Sequence, residues 1–220
     1  MKIYLASANL DDIQWATRRR LIDGVLTTHG LIRQEDPAST REQLVDICKA
    51  AEGSVLLTAH ALTAGDVYRD ARELAKLSDQ VIVQVPFIED AVEAIHRLSA
   101  DGIRVAATLV FSAAQALLAA RAGAMSVIVP IDDLDVAGHD AIAILRELRA
   151  VFDASGSDAD IIALHPVNAS QFAACAAAGA DGIAVAANVL RALLVHPLTD
   201  RGVDRFLQEL AKQHTSWSLV

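Results

Sequence analysis

The sequence is short of lysine, cysteine and aromatic rings, and each shortage removes a class of function. Aromatic residues make up 4% of the chain against 53% hydrophobic residues in all, so any core must be built from Ala, Val, Leu and Ile. Two cysteines, Cys48 and Cys175, lie in separate helical segments without metal-ligand spacing, and they read as buried thiols of a reducing compartment. No run of 18 purely apolar residues occurs, and the most apolar region, residues 161–195, is broken by His165, Pro166, Asn168, Asp181 and Asn188. A membrane partner is therefore not expected. The opening MKIYLASANLDD turns acidic too soon for a signal peptide, which makes the cytoplasm the expected location. A net charge of −9 argues against nucleic acid as a partner and reads as a solvated surface.

Against these absences stands a regular alternation. Short apolar runs at residues 2–7, 24–27, 54–59, 81–86, 104–109, 126–131, 160–165 and 182–187 have strand length and near-continuous apolarity, as strands buried on both faces require. Between them lie stretches such as EDAVEAIHRLSA (residues 89–100) and AIAILRELRAVF (residues 141–152), with apolar residues at helical spacing. Eight such repeats in 220 residues predict an α/β protein, a single (β/α)8 TIM barrel. Asp23-Gly24, Asp101-Gly102, Ala122-Gly123 and Asp181-Gly182 supply helix-to-strand turns. An open doubly wound sheet would want a glycine-rich loop after the first strand, and ASANLDD has none. Residues 1–198 are expected to form the barrel. Residues 199–220 are expected to form an extra C-terminal helix and tail, packed on the barrel or on a neighbouring subunit, with a helical pattern at residues 203–214.

In such a barrel, chemistry gathers where strands end and the following loops begin. Those positions hold Ala6, Ser7, Asn9, Thr27, Thr28, His29, Thr58, His60, Gln84, Thr108, Ile131, Asp132, Asp133, His165, Asn168 and Asn188, with no lysine or arginine among them. The four lysines are Lys2, Lys49, Lys76 and Lys212. Lys2 opens the first strand at the opposite end and the other three lie on helical segments, so none has the desolvated interior position an imine-forming amine needs. His29, His60 and His165, with Asp132 or Asp133, carry donors that suit zinc or iron, but they lack HxH or HxxxH spacing, and no metal or other cofactor is assigned. His96, His139, His196 and His214 fall on helices or loops. Gln84, if buried, needs hydrogen-bond partners, and Thr58 and Thr108 are the expected ones. Arg191 is the one cation near the usual phosphate loops, where Asn168, Ser170 and Asn188 could contribute, while Asp132 and Asp133 would repel an anion.

Residues 107–124 (ATLVFSAAQALLAARAGA) resemble the fifth strand and following helix of the transaldolase and fructose-6-phosphate aldolase family, and its short members most of all. Tyr4-Leu5, Gly24-Val25 before Thr27, and VIVQVP at residues 81–86 extend the resemblance over almost the whole chain. It implies a (β/α)8 barrel that makes and breaks carbon–carbon bonds of sugar phosphates through a lysine imine, in a pentamer or decamer whose C-terminal helix packs on a neighbour. Carried over residue by residue, the imine lysine falls on Gln84, the strand-one aspartate on Ala6, the short aldolases' strand-three glutamine on Thr58 and their tyrosine on Ile131. The phosphate arginine falls within Asp132-Asp133 and the strand-seven serine on His165. The T-T-N-P motif becomes Leu26-Thr27-Thr28-His29, and Thr108, the residue that helps hold a catalytic water, is kept.

The sequence thus predicts a transaldolase-like protein of carbohydrate metabolism without lysine-imine aldol activity, an amide being no nucleophile. Gln84 (not competent as an imine former), His165 and Thr108 are the candidate catalytic positions. Thr27, Thr28, Thr58, Asp132 and Asn168 are the candidate contacts to a small polyol, sugar or hydroxycarbonyl ligand. Three readings stay open: an enzyme with a changed, metal- or histidine-dependent mechanism on a small hydroxycarbonyl compound, a catalytically silent sugar-binding protein, and an assembly partner. A homo-oligomer is expected from the resemblance.

Overall fold

The computed structural model describes residues 1–28, 30–32 and 37–217. Eight parallel strands close in sequence order into a barrel: β1 (Lys2–Ala6), β2 (Gly24–Leu26), β3 (Ser54–Thr58), β4 (Val81–Pro86), β5 (Val105–Thr108), β6 (Ser126–Pro130), β7 (Asp160–Leu164) and β8 (Gly182–Val185). Helices surround it: α1 (Leu10–Arg18), α2 (Pro37–Ala50), α3 (Ala64–Ala75), α4 (Glu89–Ala100), α5 (Ala113–Ala122), α6 (Ile131–Val136), α7 (Ala141–Ser155), α8 (Ala169–Ala177), α9 (Ala187–Ala192) and α10 (Pro197–Trp217). Every expected strand is present, making this a (β/α)8 TIM barrel with a C-terminal helix.

Seven strands end one or two residues before the apolar run does, for a local reason. Leu109 and His165 turn into the left-handed region, at φ 59° and 60°, and Ile131 and Ala187 already begin α6 and α9. The short helix α6 was not expected from the sequence. Pro130 precedes it and Asp132 and Asp133 occupy its first turn, where carboxylates favour the partial positive charge of a helix start.

Strand residues alternate between two cores. Tyr4, Ala6, Leu26, Leu56, Ile82, Ala106, Ile128, Ile162, Leu164 and Ala184 fill the barrel, while Leu5, Val25, Val55, Leu57, Val83, Val85, Val127 and their like face the helices. Small side chains let the helices approach, as at Ala113, Ala116, Ala119 and Ala122 of α5, all buried. Tyr4 is the one aromatic ring of the interior cluster, and it fits because glycines flank it. A Cβ added at Gly182 would lie 2.9 Å from the ring, and one at Gly24 would lie 3.0 Å from the ring and 2.2 Å from the Ser54 carbonyl oxygen.

The aspartates before these two glycines close the bottom of the barrel. Asp23 N–H donates to the Ile3 carbonyl at 2.7 Å and its carboxylate accepts from Ile3 N–H at 2.8 Å. Asp181 does the same to Ile161, both at 2.8 Å, and also receives Arg149 Nη1 at 3.0 Å. The other two expected turns work through glycine, since Gly102 and Gly123 end their helices at positive φ.

Helix α10 begins two residues before the expected boundary at residue 199. Val203, Phe206 and Leu207 form a stripe at helical spacing and are 49%, 59% and 55% exposed, with Leu198 at 65%. No helix among the described residues is long and apolar enough to cross a membrane.

Because Gly182 leaves room for the Tyr4 ring, Gly182→Ala should lower the unfolding free energy by about 1–3 kcal/mol. The same change in a Tyr4→Leu background should cost clearly less. Urea unfolding of the four proteins of this cycle measures the coupling, and additive effects would show that the ring and the glycine are independent.

Candidate functional site

At the C-terminal end of the barrel lies a cavity of about 510 Å3, lined by Thr28, Thr58, Ala59, His60, Leu62, Gln84, Pro86, Thr108, Leu109, Pro130, Asp132, Asp133, Leu164 and His165. A larger cleft, about 710 Å3, opens at the opposite end around Arg121, Gly156, Asp158 and Asp160. Chemistry on this fold is built from the loops at the strand C-termini, which gives the first cavity the stronger claim.

Gln84 sits at its floor, 1% exposed. Its Nε2 donates to the Thr27 carbonyl at 2.7 Å and to the Leu56 carbonyl at 3.0 Å. Carbonyl oxygens only accept, so the amide nitrogen must face them and both its protons are spent there. The partners expected from the sequence, Thr58 and Thr108, do not serve. The backbone at the ends of β2 and β3 is nearer, and it offers acceptors that no side-chain identity reveals. Thr58 Oγ1 donates to the Thr27 carbonyl and Thr27 Oγ1 to the Leu56 carbonyl, each at 3.1 Å. With three donors spent on backbone, the Gln84 oxygen and the Thr58 lone pairs are what remain for a ligand.

Above this floor, His165 Nδ1 lies 3.3 Å from Asp132 Oδ2. The pairing follows from the sheet, since Pro130 and Leu164 are partners in the β6–β7 register and the residues just beyond them meet on the rim. His165 N–H still donates to the Ala184 carbonyl at 2.9 Å, which holds the turned residue against β8. The second Asp132 carboxylate oxygen is buried without a hydrogen-bond partner among the described residues. Two of the three non-glycine residues described at positive φ, Leu109 and His165, line this one cavity. Left-handed backbone at ordinary residues costs on the order of 1–3 kcal/mol and gathers where a site requires it.

The other predicted positions separate. Thr28, Thr58, Gln84, Thr108, Asp132 and His165 come together in the cavity, with His60, whose backbone N–H donates to the Asp70 carboxylate at 2.6 Å. Asn168 is not among the lining residues. Its Oδ1 caps α8 by accepting from Gln171 N–H at 2.9 Å, which commits the side chain to the helix start. Thr27 is buried beneath the floor, and Ile131 packs entirely into the outer core. Arg191 is bound to Asp12 at 2.9 Å and stacks over Trp15 at 3.8 Å. Lys2 bonds Asp160 at the far end of the barrel, at 2.9 Å. His29 lies outside the described residues. Among the described residues no group of three or more His, Cys, Asp or Glu side chains is placed to share a metal ion. Burial pushes the Cys175 thiol up to about 11, with a smaller contribution from Asp135, and burial raises Cys48 as well, so neither is a nucleophile at neutral pH.

The sequence reading missed Leu109, Leu62 and Pro86 as walls of the cavity. Their signal was position alone, at or just beyond the ends of strands.

A sequence profile described as Transaldolase/Fructose-6-phosphate aldolase matches residues 4–219. A probable transaldolase of Heliobacterium modesticaldum is 40% identical over 212 residues, covering 95% of this chain and 97% of that one. A probable transaldolase of Methanococcus maripaludis is 37% identical over the same shares of the two chains. A solved structure described as a cube-shaped, highly porous protein cage designed by fusing symmetric oligomeric domains superposes with a TM-score of 0.61 at 15% identity. It covers 99% of this chain and 78% of the other, a likeness of fold alone. The near full-length profile match and the identity to these relatives agree with the barrel and its cavity: this chain belongs to the transaldolase/fructose-6-phosphate aldolase family.

Proposed function

We propose that this chain is a family member that binds a small, unphosphorylated, polyhydroxylated carbonyl compound and forms no lysine imine with it. The observation that carries the proposal is Gln84, an amide where the resemblance puts the lysine, with both amide protons bonded to backbone. Such a group has no nucleophilic nitrogen to offer a carbonyl. The cavity's described lining holds no lysine or arginine that could take over the role or grip a phosphate. Two carboxylates, Asp132 and Asp133, stand on its wall and oppose an anion. Ala6, at the place of the strand-one aspartate, is buried in the barrel interior and supplies no acid or base. A lining of acceptors at Gln84, Thr58 and the two aspartates suits a ligand rich in hydroxyl donors.

Sodium borohydride added with dihydroxyacetone or fructose 6-phosphate, read by intact mass, tests this directly. The wild-type chain should gain no reduced adduct, and Gln84→Lys, which places an amine on the same floor, should gain one with dihydroxyacetone. An adduct on the wild type would overturn the proposal and identify a lysine elsewhere as the nucleophile.

The exposed stripe of α10 supports a second part of the reading, a homo-oligomer in which α10 packs on a neighbouring copy. Family resemblance sets the expected number at five or ten. Sedimentation should give the mass of a pentamer or decamer for the wild type and a smaller species for the double variant Phe206→Asp, Leu207→Asp. A monomeric wild type would contradict it.

A further inference from the structure

We propose that His165, held by Asp132, is a general base that moves a proton between neighbouring carbons of the bound hydroxycarbonyl compound, giving the site an isomerising activity. The inference rests on the imine-free reading above and deepens it. Three features of the cavity point to it. The imidazole Nδ1 stands 3.3 Å from the Asp132 carboxylate, whose negative charge favours the tautomer with the proton on Nδ1 and leaves Nε2 its lone pair. His165 is held in left-handed backbone on the cavity wall, a conformation kept only where its surroundings enforce it. Thr108 faces the same space, and its hydroxyl makes no hydrogen bond among the described residues, so it is available to donate. The titratable groups of the described lining are His60, Asp132, Asp133 and His165, and no cation stands among them to stabilise an imine or a phosphate.

The step balances without a co-reactant. Nε2 of His165 takes the proton from the hydroxyl-bearing carbon next to the carbonyl. The C–H electron pair becomes the C=C bond of an enediolate, and the carbonyl π pair moves onto oxygen, where the Thr108 hydroxyl donates to it. The proton then returns from Nε2 to the former carbonyl carbon. The proton of the neighbouring hydroxyl passes to the enediolate oxygen, and the carbonyl has moved by one carbon. His165 touches the reacting atoms, whereas Asp132 is a positioning residue that fixes the ring tautomer. Gln84 and Thr58 accept from the ligand's hydroxyls beneath.

The test is exchange of carbon-bound hydrogen for deuterium in D2O, followed by proton NMR, with dihydroxyacetone and glyceraldehyde as probes. Wild-type protein should exchange both above the protein-free rate and interconvert them. His165→Asn should lower the exchange about 100-fold or more. Asparagine is chosen because it tolerates positive φ better than most residues, and His165→Gly serves if the first variant does not fold. Asp132→Asn should lower the turnover about tenfold with little change in KM, and it should shift the 15N signals of His165 away from the Nδ1–H tautomer. A purely structural role would not produce that pair of effects. Exchange that survives in His165→Asn, or no exchange with either probe, overturns the inference while leaving the imine-free reading intact. Exchange abolished by borohydride together with a mass adduct overturns that reading instead.

Discussion

The two hydrogen bonds from the Gln84 amide to the Thr27 and Leu56 carbonyls govern the character of this site. They tie the middle of β4 to the ends of β2 and β3 at the level where the barrel stops being packed and the cavity begins. A net contribution of about 0.5–1.5 kcal/mol each is an ordinary amount of stability. Their chemical effect is larger, because they fix which end of the amide the cavity meets. The amide nitrogen points down, the amide oxygen is left to the cavity, and the Thr58 and Thr27 hydroxyls follow by donating to the same two carbonyls.

From that arrangement the hydrogen-bonding sense of the pocket follows. In a barrel with a lysine on β4 and an arginine past β6, the site offers donors and positive charge. Here the floor and wall offer an amide oxygen and two carboxylates on α6, of which Asp132 lies beside His165. Under the proposed reading, a phosphorylated sugar meets two carboxylates and no lysine or arginine among the described lining, while a neutral polyol meets acceptors. Thr108 faces the cavity as well, and the His165–Asp132 pair is the group to which the proposal assigns acid–base work.

The barrel was legible in the sequence because strands buried on both faces must be apolar throughout, and eight such runs leave little else to build. Gln84, Thr28, Thr58, Thr108, Asp132 and His165 were legible as residues of the cavity because each stands within two positions of a strand's C-terminal end. Their partners were harder to read. Gln84 bonds backbone carbonyls, which every residue carries, so its nearest acceptors have no sequence signature. The His165–Asp132 contact spans 33 positions and needs the β6–β7 register, although adjacency of consecutive strands would have suggested it. Asn168 was misplaced despite a visible signal, because Asn followed three residues later by Gln is a helix-start pattern, and its side chain does cap α8. Helix α6 carried the same kind of sign, in Pro130 and the two aspartates after it.

Unfolding of Gln84→Glu in urea, compared with wild type as a function of pH, probes the floor most directly. The substitution keeps the shape and exchanges the donating nitrogen for an oxygen that faces two carbonyl oxygens. Burial and those carbonyls favour the protonated acid, so its folded pKa is raised and the penalty must appear as pH climbs past the unfolded value of about 4.3. A loss of about 3 kcal/mol or more at pH 7, fading below pH 4, is the expected outcome. Wild-type stability at pH 7 would mean that the residue 84 side chain does not bind those carbonyls, and the acceptor-lined floor would have to be abandoned.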